Sequence, residues 1–596
     1  MIVEMNKLTV ICLAADRDKA LNALGRLGVL HLAHVRAPEG ADLDALAAER
    51  VRTERARALL QAAEPATESD ASSAVAGEVP AERDPARLVA LALETAQEVR
   101  RLENRLEAVQ TERAAVEPFG QFEPDAVDRL AARGILVKFG YRAGREPLAA
   151  PDGVVLRVMR EDKNGRYFVL IGKGDFESVG RTLEAPARSL AAIDKDIEAL
   201  SAALRTGRRR LARLAAHVDR LAAHLAALDG RIAYAEARAG MGDKGRLAWL
   251  RGFCPVDTVD SVRHAAKAKG WGLLVEEPGD EEPVPTLIRS PKWVRPVKAV
   301  FDMIGVLPGY GEVDISAVFL LFFSVFFAIL IGDAGYGVLF LGLTAATRLK
   351  FRKAPSEPFV LLTILSVCTI VWGVMTGAYF GIENLPAPLR GIQVTWLKDQ
   401  ANMTSLCFLI GAIHLSVGHA WNAIRVINST KAIAQVGWIC LCWTMYFAAR
   451  TMVLDMAFPG WVWWLFGDGL VGVVLFMTSP REFKTEWTGH VMLPLTVIGN
   501  FVDVVSYLRL FAVGTASLAV AMAFNDMAVG QGINSVVAGL IAAFILFFGH
   551  TLNILLGAMG ILVHGVRLNT LEFSGHMGIQ WAGFKYAPFV REAKED

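Results

Sequence analysis

One arginine, Arg509, lies near the middle of an apolar stretch that runs from Val491 to Met527, 18 residues from each end. A second, Arg567, falls in the last third of another apolar stretch, from Val536 to about Glu572. No other Arg or Lys occurs between Phe501 and Gln580. A charge at mid-bilayer costs about 2.5–3.5 kcal/mol on insertion scales, so such residues face a protein partner or a watery cavity. On a 1.5 Å rise Arg509 is roughly 27 Å from either end of its helix, beyond easy snorkelling reach. Arg567, nearer a helix end, has snorkelling as its plain alternative, and Arg509 has a structural ion pair with Asp503 or another buried acid. Two isolated arginines on the last two spans point to an ion pathway.

Positioning them requires a membrane domain, and the chain supplies one. Its 596 residues are 53% hydrophobic with a mean hydropathy of +0.36, yet 21% charged. The two properties are segregated: residues 1–300 hold most of the charge and 315–575 the apolar runs. Eight spans are expected, at about 316–332, 334–348, 358–380, 404–427, 432–453, 460–478, 491–529 and 536–572. The GDAGYG between the first two reads as a tight break or a kink. Basic residues collect in the loops at 348–353, 428–431 and 479–490 (including Arg481), which places both termini inside. The last two spans exceed the ~20 residues that a bilayer needs, so they tilt strongly or project.

The first 300 residues read as a cytoplasmic arm. Strand–helix–strand patterns at 1–40 and 246–285 form one α+β lobe near the membrane. Heptad positions at Val99, Leu102, Leu106, Val109 and Val116, and again from Ile193 to Ile232, predict an antiparallel coiled coil of about 42–116 with 187–240. That register sets Val109 against the Leu204–Leu214 region. A compact, strand-rich lobe at 119–182 caps its far end, and the polar segment 64–82 is a linker. Residues 301–596 form the membrane domain.

Absences narrow the chemistry. A net charge of +1 gives no bulk attraction for nucleic acid. There is no G-x-x-x-x-G-K-[ST] and no H-E-x-x-H, so a nucleotide site, a metalloprotease site and catalysis by this chain alone are not expected. No cofactor or metal is expected either. The six cysteines are scattered, and the Cys440/Cys442 pair reads as helix packing. The N-terminus has no signal-peptide pattern.

The combination resembles one family, subunit I (subunit a) of V-type and V/A-type rotary ATPases. The resemblance is carried by VVSYLRLFAV (504–513) and HTLNILLGAMGILVHGVRLNTLEF (550–573). It extends through IGDAGYG (331–337), WGVMTGAYFG (372–381), LIGAIHLSVG (409–418) and the 285–316 stretch. It implies a non-catalytic stator whose last two helices lie against a rotating ring of c subunits. Arg509 matches the family's essential arginine and Arg567 its second. His564 and Glu572 flank the second, and Asp503, Ser506, His550 and Asn553 are further candidates for the ion path. The resemblance also implies docking to E/G-type peripheral-stalk subunits, a d-type central-stalk subunit and membrane lipid. Gly557 and Ser517 depart from eukaryotic relatives, which carry a carboxylate and a histidine there. A secondary transporter with internal repeats and a membrane-anchored coiled-coil scaffold are the competing classes.

Overall fold

A computed structural model describes residues 1–63, 84–144, 148–163, 165–279, 282–382, 386–479, 482–530, 532 and 535–591. The 64–82 linker and Arg481 lie outside them.

The chain begins in a five-stranded antiparallel sheet. Strands β1 (Met5–Leu13), β2 (His31–Ala33), β8 (Leu247–Pro255) and β9 (Gly272–Glu276) run in the order β2-β8-β1-β9, with β7 (Gly242–Lys244) also on β8. Residues 5–13 thus pair with residues more than 230 positions later, Met5 opposite Pro255 and Leu13 opposite Leu247. Alternation along β1 sends Leu8, Val10 and Cys12 to one face, where helices Arg17–Leu27 and Val259–Lys269 cover them with Leu21, Leu24 and Val262. Both helices stop at a left-handed glycine, Gly28 (φ 60°) and Gly270 (φ 69°).

Four long helices build the rod. Asp84 caps Pro85–Val116 by accepting from the Ala86 amide, with Pro85 as the first helical residue. This helix packs on Leu190–Ala215, and Ala41–Gln61 packs on Val218–Ala239. Ion pairs show the antiparallel sense: Arg113 meets Asp194 at 2.6 Å, and Arg208 meets Glu103 at 2.7 Å. The returning limb is two helices broken at Ala216–His217. Val109 shares its apolar cluster with Leu190, Ile193, Ile197 and Leu200, nearer the lobe than the expected Leu204–Leu214. At the far end β3 (Ile135–Ala143), β4 (Val154–Glu161), β5 (Gly165–Lys173) and β6 (Arg181–Leu183) form an antiparallel sheet in the order β4-β5-β3-β6.

In the apolar half, five helices among the described residues are long and apolar enough to cross a membrane: Glu357–Thr376, Gln400–Arg425, Lys431–Leu454, Glu486–Val529 and Val536–Met577. Ser316–Ile331 and Ala334–Lys350 meet at a bend of 120° and count as a sixth span if taken together. Val462–Phe476 is shorter than a span. Among the described residues, five or six spans thus meet a length-and-apolarity criterion where eight were expected from the sequence. Two of the eight expected spans are the arms of one bend, and a third is only 15 residues long. Gly332 (φ 69°) makes the bend, and Asp333 opens the second arm by accepting from the Gly335 and Tyr336 amides at 2.7 and 3.2 Å.

The 44- and 42-residue final spans would each reach more than 60 Å if straight, about twice a hydrocarbon core. The first of them breaks at Tyr507, between Phe483–Ser506 and Leu508–Val529. The second changes to wider π winding over Ile561–Gly565 and Leu568–Phe573, bracketing Arg567. The core between them and the bent pair is aromatic, with Phe319, Phe326, Phe408 and Tyr507 fully buried. After Met577 the chain turns back, and residues 586–591 pack against the first sheet. Tyr586 Oη donates to Val29 O at 2.6 Å, and the Phe589 and Arg591 amides donate to Leu30 O and Gly25 O.

Candidate functional site

The break at Tyr507 and the π-wound segment face each other, and the charges collect there. Arg509 Nη2 donates to Glu572 Oε1, and Arg509 Nε donates to the Ser506 carbonyl at 2.9 Å. Arg567 Nε lies 3.4 Å from the same Glu572 oxygen. One carboxylate thus holds two guanidiniums. The Glu572 side chain is 4% exposed, against 23% for Arg509 and 55% for Arg567. Glu572 Oε2 is buried with no hydrogen-bond partner among the described residues. An arginine keeps its charge in any protein environment, so the cluster presents a fixed positive centre that one acid only part-neutralises.

Two polar networks leave this centre in opposite directions along the last helices. Towards the chain's C-terminal end, Asp503 Oδ2 lies 3.1 Å from His576 Nε2, and His576 Nδ1 lies 2.8 Å from His419 Nε2. His419 Nδ1 then reaches Gln435 Oε1 at 2.8 Å. A cavity of about 320 Å³ adjoins this end, lined by Asn422, Arg425, Lys431, Gln435 and Trp438 among others. Towards the 529–536 turn, Asn553 Nδ2 donates to Tyr336 Oη at 3.0 Å and to Ser517 O at 2.9 Å, and Ser517 Oγ donates to Asn553 Oδ1 at 3.1 Å. Tyr336 Oη lies 2.7 Å from His550 Nδ1, and His550 Nε2 lies 3.2 Å from Asn525 Oδ1.

The residues picked from the sequence divide accordingly. Arg509, Arg567 and Glu572 come together. Asp503 does not pair with Arg509; it turns to His576, and Glu572 is the acid that Arg509 meets. Ser506 enters through its carbonyl. His550 and Asn553 join the second network, whereas His564 has its Nδ1 buried without a partner among the described residues. Sequence reasoning missed Tyr336, His419, Gln435, Tyr507 and His576. It also missed His414, fully buried, which stacks 4.2 Å from Phe573 and lies 2.8 Å from Tyr507 Oη. Tyr336, His414 and Tyr507 are polar groups in largely apolar helices, and that was the one signal available, whereas His419 and His576 lie among other polar residues.

No protein-family model matches the chain. A curated relative, V-type ATP synthase subunit I 1 of Treponema pallidum, is 31% identical over 636 residues, covering 99% of this chain and 100% of that protein. The chain belongs to the V-type ATP synthase subunit I family. V-type ATP synthase subunit I of Borreliella burgdorferi is 28% identical over 624 residues, covering both chains in full. A-type ATP synthase subunit I of Methanocaldococcus jannaschii is 26% identical over 402 residues, 60% of this chain and 57% of that one. Among solved structures, the crystal structure of the cytoplasmic N-terminal domain of subunit I, homolog of subunit a, of V-ATPase aligns with 45% of this chain and 99% of that chain. Its identity is 18% and its TM-score 0.23, too slight a likeness to carry an argument. The chain covers the whole length of both these V-type relatives, and its apolar helices fit a membrane subunit.

Proposed function

We propose that this chain is the membrane stator of a rotary ATPase, and that Arg509 gates ion exchange with a ring of c subunits. The carrying observation is the Arg509–Glu572–Arg567 centre, with a separate polar network on either side of it. A ring carboxylate passing Arg509 is favoured in its ionised form and gives up its ion, because a nearby positive charge stabilises the anion. The Asp503–His576–His419 network serves one aqueous half-channel, and the Ser517–Asn553–Tyr336–His550 network serves the other. An ion released into one can reload only from the other after riding the ring. Glu572 holds Arg509 towards the ring and keeps the arginine pair from repelling, and Arg567 and His564 shape a half-channel. Ser517 and Asn553 supply on one side the polar contacts that Gly557 lacks.

The rod and the 119–182 lobe dock E/G-type peripheral-stalk subunits and resist rotor torque, while the near-membrane lobe faces a d-type central-stalk subunit. Both termini are cytoplasmic, a reading supported by the C-terminal segment docking on the N-terminal sheet. ATP is handled on other subunits, and nucleic acid has no part.

The test is purification followed by reconstitution. This subunit should bring down a small, very hydrophobic c subunit and soluble ATPase subunits, and the vesicles should take up ions on ATP addition. Isolation as a lone transporter with its own substrate-driven uptake would overturn the reading.

A further inference from the structure

The His419–His576 pair has a third neighbour that neither the arginine centre nor the half-channel reading uses. Cys442 projects from Lys431–Leu454 so that its Sγ, His419 and His576 each offer a ligand atom within 4.8 Å of the other two. We propose that His419 Nε2, His576 Nδ1 and Cys442 Sγ form a binding site for a borderline-soft divalent transition metal ion such as Zn²⁺, and that its occupation blocks the half-channel on that side. The regulatory half of this proposal rests on the half-channel reading; the binding half does not.

Four observations carry it. First, the donor set is right in kind, because two imidazoles and one thiolate select zinc-like ions over Mg²⁺ or Ca²⁺. Second, both rings are already oriented as metal-bound histidines are. Gln435 Oε1 stands 2.8 Å from His419 Nδ1, and Asp503 Oδ2 stands 3.1 Å from His576 Nε2. Each outer nitrogen can therefore donate its N–H to an oxygen, which turns both inner lone pairs towards one point. His419 is further fixed by stacking on Trp438, with ring centroids 5.9 Å apart and planes 11° from parallel.

Third, the inner nitrogens are 2.8 Å apart, a separation that needs a proton between them. Two nitrogens on one tetrahedral zinc stand about 3.3 Å apart, so the ion takes that proton's place with a half-ångström opening. Binding releases the shared proton and the thiol proton. The thiolate and the Asp503 carboxylate then offset the ion's two charges, which a buried site requires. Fourth, there is an entry. The 320 Å³ cavity is lined by Gln435 and Trp438, both in contact with His419, and by Asn422, whose Nδ2 donates to His576 O at 3.1 Å. Lys431, another residue of its lining, is paired with Glu482 at 2.7 Å.

The experiment uses the whole reconstituted complex, with Zn²⁺ and Co²⁺ as probes. Inhibition is read for each variant as the ratio of ATP-driven ion uptake with and without Zn²⁺, so differences in basal rate drop out. Bound metal is read on the same preparations as thiolate-to-cobalt charge-transfer absorption and as zinc retained after gel filtration. Wild type should bind one further equivalent over Cys442→Ser, with the cobalt thiolate band present only when Cys442 is. Cys442→Ser and Gln435→Leu should raise the Zn²⁺ concentration for half-inhibition by roughly 10–100-fold. Cys440→Ser should leave it where it was. Absence of the cobalt band in wild type, its persistence in Cys442→Ser, or equal zinc in wild type and Cys442→Ser would overturn the site. Binding that needs Cys442 but leaves ion uptake untouched would uphold the site and overturn its regulatory role, and with it the placing of this half-channel.

Discussion

Removing the Arg509 side chain separates gate from strut. Arg509→Ala deletes the Nη2–Glu572 contact and the Nε–Ser506 hydrogen bond, leaving Glu572, 4% exposed, with Arg567 Nε at 3.4 Å as its remaining cation. Breaking a fully buried ion pair by deleting one partner costs about 3–5 kcal/mol. Here Arg567 stays within reach and Arg509 is itself 23% exposed, so the loss falls to that of a charged hydrogen bond, about 1.5–3 kcal/mol. That is roughly a 10- to 150-fold change in the folded ratio, survivable against about 5–15 kcal/mol of total stability. The expected outcome is a reduced but measurable yield of assembled complex with no coupled ion transport per complex. Arg509→Lys keeps a charge but not the two-pronged contact, and it should also fail to pump at near-normal yield. The assay is ATP-driven ion uptake in reconstituted vesicles, normalised to assembled complex by quantitative immunoblot. Normal uptake per complex in Arg509→Ala, with only the yield reduced, would refute the gate and leave Arg509 a structural residue.

Arg567→Ala should impair uptake less than Arg509→Ala, because its contact to Glu572 is longer and its side chain 55% exposed; equal or greater impairment in the same assay would reverse their ranks. Gly514→Ala would drive a methyl to 2.5 Å from the Ile329 carbonyl, forcing the Leu508–Val529 helix off the bent pair at a cost of about 1–3 kcal/mol; the check is complex yield against denaturant. In the rod, a Cβ on Gly207 would lie 2.8 Å from Val99 Cγ2, so Val99→Cys with Gly207→Cys should form a disulfide on mild oxidation, whereas Val109→Cys with Leu211→Cys should not. Burial pushes His31 below the usual histidine range, and its Nδ1 accepts from the Ala587 amide at 3.0 Å. A depressed folded pKa means that the neutral ring's contribution is complete above about pH 6.5 and lost as pH falls through the folded value. Hydrogen exchange at the Phe589 and Arg591 amides, corrected for intrinsic rates, should therefore quicken on acidification in wild type and lose that dependence in His31→Phe.

The parts legible beforehand were those where one residue violates its surroundings or one period repeats. Arg509 and Arg567 stood out because a cation in an apolar run has few innocent explanations, and the heptads because 3-4 spacing over dozens of residues has one geometry. Register was not legible. Heptads fix which stripe of each helix is buried, not which turn meets which, and the 119–182 lobe between the two helices leaves that offset free. The 120° bend was half-legible. Gly332 followed by Asp333 is a helix stop and an N-cap start in adjacent residues, but the apolar runs on both sides read equally well as two spans. The polar networks were illegible for a different reason. His419 and His576 are 157 residues apart and Tyr336 and His550 are 214, so no local spacing relates them, and only packing brings them within hydrogen-bond reach.

The docked C-terminal segment sets an order on biosynthesis. His31 and Ala587 are 556 positions apart, so the surface that receives Phe589 and Arg591 is made early and filled last. At about 5–20 residues per second, the ribosome takes roughly half a minute to two minutes to travel that distance. The first sheet is itself complete only once Glu276 has been made, and from then until Phe589 is made it lacks that residue in its core while the apolar helices are still being added. Residues 586–591 can reach it only after the Val536–Met577 helix has been made. Docking of the segment therefore reports that the last long helix has been made, and a chain that stopped short of residue 589 would have no means of closing the first domain.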